Sequence, residues 1–195
     1  MIIETHLNDG RPVCIREVRR EDEQRLKEGI ARLSPQSRYL RFFSGMREAP
    51  QPVLDLLLDV DGHDHIAWGA IGSEMPGEPA LGVVHAFRDD EDPATAEFSV
   101  AVVDEYHGLG VARLLTAVLL YECRREGFDQ LTVHILAENR SAMALARLLG
   151  ARFTGRDAGV SEFEIDVRDA LGALRQDTGA PGLKEVFAQI EGGDA

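Results

Sequence analysis

Hydrophobic residues recur with two different periods along this chain, and the period changes after residue 60. In the first part, apolar positions fall three or four residues apart, which is the spacing of amphipathic helices. We predict helices over residues 21–33, 36–43 and 52–60. Shorter runs of strand character follow, separated by loops rich in Gly, Pro and acidic residues. They predict an antiparallel meander over residues 66–71, 80–87 and 96–103.

The second half of the chain alternates strands with helices. Five apolar residues share one helical stripe, so we predict a long helix over residues 111–125. The remaining predicted elements are a strand over 131–136, a helix over 142–149 capped by Asn139, and a strand pair over 151–155 and 160–167. Together these elements predict an α+β fold built around one mixed sheet.

The two ends of the chain show weaker patterns than the middle. We predict that residues 1–12 form a loose lead-in and that the first strand covers residues 13–15. Residues 168–195 are rich in Gly, Asp and Ala, and one short helix is predicted within them, over 183–190. The expected organisation is one domain over residues 13–167, followed by a C-terminal tail that folding does not require.

The charge of the chain narrows the class of partner. Lys and Arg number 21 and Asp and Glu number 34, so the formal net charge is −13. This balance argues against nucleic acid as a partner, because neutralising phosphates requires a basic face. No apolar run is long enough to span a membrane and no secretory signal opens the chain. We therefore expect a cytoplasmic protein without a membrane partner.

Cysteine and histidine show no metal-binding spacing. Cys14 and Cys123 lie far apart and outside any CxxC pair, so we expect each to be a small buried side chain. His63, His65, His85 and His134 lack the paired ligand spacing of a zinc site. We predict no metal cofactor and interpret these histidines as surface or structural residues.

The candidate ligand site is a glycine-containing turn between the predicted strand 96–103 and the long helix. Gly108 and Gly110 leave this turn without side chains, so its amides can face outward. The start of a helix carries unpaired N–H groups and the positive end of the helix dipole. Such a place binds phosphate, so we interpret the turn as the seat of a pyrophosphate.

Two common phosphate-binding motifs fit this turn poorly. In a G-x-G-x-x-G dinucleotide fingerprint the third glycine would stand at Arg113, and a meander precedes the turn where a βαβ unit is needed. A Walker A loop requires Gly-Lys-Ser/Thr, which the chain lacks.

The turn resembles the signature of the GNAT superfamily of acyl-CoA-dependent N-acetyltransferases, Gln/Arg-x-x-Gly-x-Gly/Ala. Here it reads His107-Gly108-Leu109-Gly110-Val111-Ala112, and His107 departs from the usual first residue. The resemblance implies a mixed, mostly antiparallel sheet flanked by helices, with acyl-CoA in a cleft at the central strand pair. It implies acetyl-CoA as co-substrate, bound by Ser99, Val100, Ala101, His107, Gly108, Leu109, Gly110, Val111, Ala112, Arg113 and Asn139. Within this set, the backbone of the Ser99–Ala101 strand would hold the pantetheine.

Three further segments resemble the catalytic domain of bacterial protein lysine acetyltransferases, including the mycobacterial type joined to a cyclic-nucleotide-binding domain. They are residues 34–43 (SPQSRYLRFF), 64–68 (DHIAW) and 87–97 (FRDDEDPATAE). This resemblance implies a protein lysine as the acceptor amine. Too few residues precede the predicted domain to hold a regulatory domain, so we expect the catalytic part alone.

Glu97 is the candidate catalytic residue. Glu97, Ser99 and Ala101 alternate with larger apolar residues, so their face of the strand is small and polar and leaves room for a ligand. The resemblance places the family's catalytic glutamate here, which implies that Glu97 is a general base. The alternative is a strand-end glutamate in contact with water.

The position that often holds a tyrosine in GNAT enzymes, seven residues after the asparagine, is Ala146. In those enzymes the tyrosine protonates the departing CoA thiolate. The sequence does not identify a group that replaces it in this chain. Three hypotheses remain: acetylation of a protein lysine, acetylation of a small amine such as a polyamine or an antibiotic, and a CoA-binding sensor without catalysis. A homodimer is a possible assembly.

Overall fold

The computed structural model describes residues 1–42 and 49–192 as eight strands, seven α-helices and two short 3-10 turns. The strands are β1 (Ile2–His6), β2 (Pro12–Glu17), β3 (His65–Ile71), β4 (Ala80–Arg88), β5 (Thr95–Val102), β6 (Gln130–Leu136), β7 (Arg152–Asp157) and β8 (Val160–Asp166). The helices are α1 (Glu23–Arg32), α2 (Pro35–Phe42), α3 (Gln51–Leu58), α4 (Val111–Arg125), α5 (Arg140–Leu148), α6 (Val167–Gln176) and α7 (Leu183–Gly192). Phe43, the last residue of the predicted second helix, lies outside the described residues.

All eight strands form one sheet in the order β1-β2-β3-β4-β5-β6-β8-β7. Six of the seven described pairings are antiparallel, and the pairing of β5 with β6 is parallel. The predicted meander is β3, β4 and β5, and the long helix α4 connects the two parallel strands. The prediction of an α+β fold with a mixed, mostly antiparallel sheet is confirmed.

Helices cover both faces of this sheet. Successive side chains of a strand point to opposite faces. In β3, Trp68 joins the large core formed with α4, while its neighbour Ala67 joins a smaller cluster with Leu26 of α1 and Leu58 of α3. Most residues of α4 are buried, so this helix is the centre of the larger core.

The expected loose lead-in is wrong, because residues 2–6 form the edge strand β1. It pairs antiparallel with β2, with Ile3 opposite Ile15. Ile3, Thr5 and Leu7 are buried in alternation, which is the period of a half-buried strand. This alternation is present in the sequence, but it is short and ends at a turn within four residues.

The C-terminal segment is also more ordered than predicted, since it contains α6 as well as the expected short helix. Leu171 and Leu174 of α6 are buried, as are Val186 and Ile190 of α7. Helix α7 packs against both β1 and α4. The two ends of the chain therefore complete the core together, which argues against a tail that folding does not require.

A matched pair of glycine substitutions tests this packing. A Cβ on Gly182 would lie 2.5 Å from the carbonyl oxygen of His6 and 2.5 Å from Oγ1 of Thr5, whereas one on Gly172 would meet open space. We expect Gly182→Ala to lower the free energy of unfolding by about 1–3 kcal/mol through overpacking. Gly172→Ala, within α6, should raise it by up to about 1 kcal/mol. Thermal unfolding followed by circular dichroism compares the two, and a wild-type melting temperature for Gly182→Ala would contradict the described contact.

Candidate active site

A cleft opens where β5 and β6 separate. The two strands pair over three residue pairs only, from Thr95 with Gln130 to Glu97 with Thr132. Beyond these pairs the strands diverge and enclose a space of about 430 Å³. The space is lined by residues of α2, β5, β6, α5 and the glycine turn. The expected cleft at the central strand pair is therefore present.

The register of β5 decides which of its backbone groups face this cleft. Val103 N–H donates to the Leu81 carbonyl, and the register with β4 continues from there in steps of two residues. In an antiparallel pair alternate residues carry the hydrogen bonds. The backbone groups of Ser99 and Ala101 are therefore bonded to β4, and those of Val100 point into the cleft. Of the three residues predicted to hold the pantetheine through their backbone, Val100 is the one whose N–H and C=O groups are not bonded to β4.

The glycine turn closes one end of the cleft and begins α4. Gly110 is the N-cap residue with φ of 91°, and Gly108 has φ of 75°, a region that favours glycine. Within the described chain, the amides of Gly108, Gly110, Val111 and Ala112 donate to no protein acceptor. Four unpaired N–H groups at a helix start are a suitable seat for a phosphate group.

His107, the residue that departs from the family signature, ties the turn to the end of β5. Its Nε2 lies 2.9 Å from the carbonyl oxygen of Val102. Because a carbonyl only accepts, Nε2 carries the proton in this contact. His107 also lines the cleft, so it both fixes the turn to β5 and forms part of the cleft wall.

Arg113 is held by the loop between α6 and α7. Its Nε lies 3.1 Å from the carboxylate of Asp177, and its Nη1 donates to the Gly179 carbonyl at 3.0 Å. On the other side of that loop, the side-chain amide of Asn8 donates to the Gly179 carbonyl at 2.9 Å. Sequence reasoning missed Asp177 and Asn8, because both are more than sixty residues from Arg113.

Asn139 is the N-cap of α5, as predicted. Its Oδ1 accepts a hydrogen bond from the Ala142 amide at 3.1 Å, and the residue borders the cleft. Ala146 lies further along α5, also on the cleft wall, and is buried. The side chain at this position provides no hydroxyl group.

Glu97, Ser99 and Arg41 come together on one wall of the cleft. Glu97 has an exposed side chain at the end of the β5–β6 pairing. Arg41 of α2 donates from Nη2 to Oγ of Ser99 at 2.9 Å. Burial lowers the pKa of the Arg41 guanidinium, and attraction to Glu97 opposes that change. The sequence resemblance includes Arg41 only within the segment 34–43 and assigns it no role. The residues around Arg41 in the sequence give no sign that its side chain reaches β5.

Behind this wall lies a buried histidine pair. His65 Nδ1 contacts the Asp59 carbonyl at 2.9 Å, and its Nε2 lies 2.9 Å from His85 Nδ1. The carbonyl requires a proton on His65 Nδ1, so in the neutral pair His85 donates to His65. Burial lowers the pKa of both rings. Within the described residues, His85 Nε2 has no hydrogen-bond partner.

In residues 1–42 and 49–192, no three or more His, Cys, Asp or Glu side chains are grouped to hold a metal ion. In the same ranges, no helix has the length and apolar character needed to cross a membrane.

Comparison with known families agrees with the geometry of the cleft. Residues 35–151 match the model of the acetyltransferase (GNAT) family. This span includes β5, the glycine turn, α4, β6 and α5, which are the elements around the cleft. The chain belongs to the GNAT family of acetyltransferases and is an acetyl-CoA-dependent acyltransferase.

Individual relatives and solved structures are consistent with this assignment. The chain is 35% identical over 144 residues to "Acetyltransferase PA5475" of Pseudomonas aeruginosa, covering 74% of this chain and 77% of that protein. It is 27% identical over 169 residues to "Acetyltransferase Pat" of Mycolicibacterium smegmatis, covering 85% of this chain and 49% of that protein, about half of its length. The fold matches the GNAT domain of S. lividans PAT with a TM-score of 0.77 at 21% identity, covering 85% and 96% of the two chains.

A charge placed at the glycine turn tests the phosphate seat. Ala112 is in the first turn of α4 and lines the cleft. An acid there is favourable for the helix by about 0.3–1 kcal/mol, so Ala112→Glu should not lower stability. Its charge should repel the CoA pyrophosphate and weaken CoA binding at least about tenfold, or about 1.4 kcal/mol.

The matched control is Ala112→Gln, which adds the same bulk without the charge. Calorimetric titration with CoA should separate the two variants at low salt, and the difference should shrink as salt screens the charges. Equal CoA affinities for the Glu and Gln variants would place the pyrophosphate elsewhere.

Proposed function

We propose that this acetyltransferase transfers the acetyl group of acetyl-CoA to lysine side chains of proteins, with Glu97 as the general base. The observation that carries the proposal is the position of Glu97. It is an exposed carboxylate at the point where β5 and β6 separate, on the wall of a cleft that also reaches the glycine turn.

The proposed path of CoA follows the polar groups of the cleft. The unpaired amides of the glycine turn bind the pyrophosphate, and Arg113 and the His107 ring border it. The pantetheine extends between the strands and takes the place of the strand neighbour that the backbone of Val100 lacks. Asn139 at the start of α5 lies along this arm. The thioester then reaches the wall that carries Ser99 and Glu97.

The chemistry requires a neutral amine. A lysine amine has a pKa of about 10.4, so exposing its lone pair at pH 7 costs about 4–5 kcal/mol. Glu97 takes the proton, directly or through water. The amine nitrogen attacks the thioester carbon, the C–N bond forms, the C–S bond breaks, and CoA leaves as a thiolate. No covalent enzyme intermediate is needed, in agreement with the pKa of both cysteines being raised by burial.

The surroundings of Glu97 support a cationic acceptor. The register across β5, β6 and β8 places Glu97, Thr132 and Glu164 in one row on the same face of the sheet. Glu162 lies on this face in the next row, opposite His134. The side chains of Glu162 and Glu164 are 45% and 35% exposed. Glu164 is ion-paired with Arg152, which offsets part of this negative charge. The remaining carboxylates attract an ammonium group, and the resemblance to protein lysine acetyltransferases favours a lysine.

Replacing the base tests the role of Glu97. Glu97→Gln keeps the size of the side chain but cannot take a proton, so we expect turnover to fall about 10²–10⁴-fold at neutral pH. The affinity for acetyl-CoA should change little, and the variant should regain rate at high pH, where free amine is abundant. Glu28→Gln, an exposed position on α1, is the matched control. Wild-type turnover by Glu97→Gln at pH 7 would make Glu97 a structural residue.

The acceptor is tested separately. Native lysate is treated with acetyl-CoA and either the wild type or Glu97→Gln, and acetyl-lysine peptides are quantified by mass spectrometry. We expect a set of lysines acetylated only by the wild type. Release of CoA with polyamines or aminoglycosides, without lysine acetylation above the control, would favour the small-amine function. No CoA release with any amine would indicate a sensor.

A further inference from the structure

The departing CoA thiolate lacks the partner that many GNAT enzymes provide. The position of the usual tyrosine is Ala146, which is buried and bears no hydroxyl. Tyr106 lines the cleft, but its hydroxyl lies 3.2 Å from Arg32 Nη2 in a contact on the α1 side. A negative charge that leaves on sulfur therefore needs another source of stabilisation.

Arg41 and Ser99 form such a source on the cleft wall. The Ser99 hydroxyl accepts the hydrogen bond from Arg41 Nη2, so its own proton remains available to a ligand. Arg41 is half-buried and lies over the Phe42 ring, and no ion pair joins it to a carboxylate within residues 1–42 and 49–192. Burial lowers the pKa of its guanidinium, and the charge of Glu97 opposes that change. A half-buried cation without an ion-pair partner favours an anionic species beside it.

The other titratable groups around the cleft do not donate to the Ser99 hydroxyl as Arg41 does. Glu97 is two residues before Ser99 on the same face of β5, and His85 is the β4 neighbour of Ser99. The remaining titratable groups on the cleft wall are Tyr106, His107, Arg113 and His134. His107 is bonded to Val102, Arg113 is paired with Asp177, and His134 lies 3.8 Å from Glu162. Arg41 is thus the cation that directly contacts the Ser99 hydroxyl.

We propose that Arg41 and Ser99 stabilise the negative charge that develops on the thioester and leaves on the CoA sulfur, in place of a tyrosine acid. The proposal rests on CoA binding in this cleft as described above. As the amine nitrogen bonds to the carbonyl carbon, charge builds on the carbonyl oxygen and then passes to sulfur as the C–S bond breaks. The Ser99 hydroxyl donates a hydrogen bond to that charge, and Arg41 polarises the hydroxyl and supplies the positive field.

The ionisation of bound CoA measures this stabilisation without any acceptor. A free thiol has a pKa of about 8.5, and a nearby cation lowers it. The thiolate is followed by its ultraviolet absorbance as the complex of enzyme and CoA is titrated with base. Burial raises the pKa of both Cys14 and Cys123, so the protein thiols ionise at a higher pH than an exposed cysteine.

Three variants and one control define the expected result. We expect the pKa of the bound thiol to lie below that of free CoA in the wild type, and to rise by about 1–3 in Arg41→Met. Arg41→Lys should retain part of the effect, and Ser99→Ala should raise the pKa by less than Arg41→Met. Arg124→Met, at an exposed position near the far end of α4, should match the wild type.

Kinetics give the second readout. With a fixed amine, Arg41→Met should lose about 10²–10³ in kcat while its dissociation constant for acetyl-CoA stays within a few-fold of the wild type. An unchanged thiol pKa in both Arg41→Met and Ser99→Ala would overturn the proposal. The proposed CoA site would instead be refuted if CoA did not bind the wild type, or if Ala112→Glu bound CoA as tightly as the wild type. The two failures are therefore distinguishable.

Discussion

The separation of β5 from β6 after three residue pairs is the constraint on which the rest of this structure depends. A parallel strand that loses its neighbour leaves N–H and C=O groups without partners, and a buried unpaired group costs about 1–3 kcal/mol. In β5 the backbone of Val100 is in this position, while Ser99 and Ala101 remain bonded to β4. The cleft therefore lies where the hydrogen bonds between β5 and β6 are interrupted. An extended ligand with amide groups can form hydrogen bonds to β5 in their place.

The remainder of the chain holds that gap open and closes its ends. Helix α4 connects the two diverging strands and is buried along most of its length, so its N-terminal turn is fixed relative to β5. The two ends of the chain then hold the turn, through Asn8 before β2 and the Asp177–Gly179 loop after α6. Residues that look peripheral in the sequence thus help to hold the glycine turn in place.

Sequence patterns predicted the local features well. The bounds of α4, the cap at Asn139 and the glycine turn follow from helix periodicity and from residue types with strong local preferences. Periodicity carries no information about contacts between distant elements, so the Arg41–Ser99 and Arg113–Asp177 contacts could not be predicted. The edge strand β1 and helix α6 were missed for another reason, because one is short and the other lies in a segment whose composition is typical of a flexible tail.

Amide hydrogen exchange at β5, measured residue by residue by NMR with and without saturating CoA, tests the central claim most directly. According to that claim, bound CoA forms hydrogen bonds with the part of β5 that β6 no longer pairs with. The Ser99 and Ala101 amides, already bonded to β4, should exchange slowly in both states. The Val100 amide should exchange quickly without ligand and at least about tenfold more slowly with CoA, a change of about 1.4 kcal/mol in local opening. Equal exchange of Val100 in both states, with CoA bound, would contradict the account.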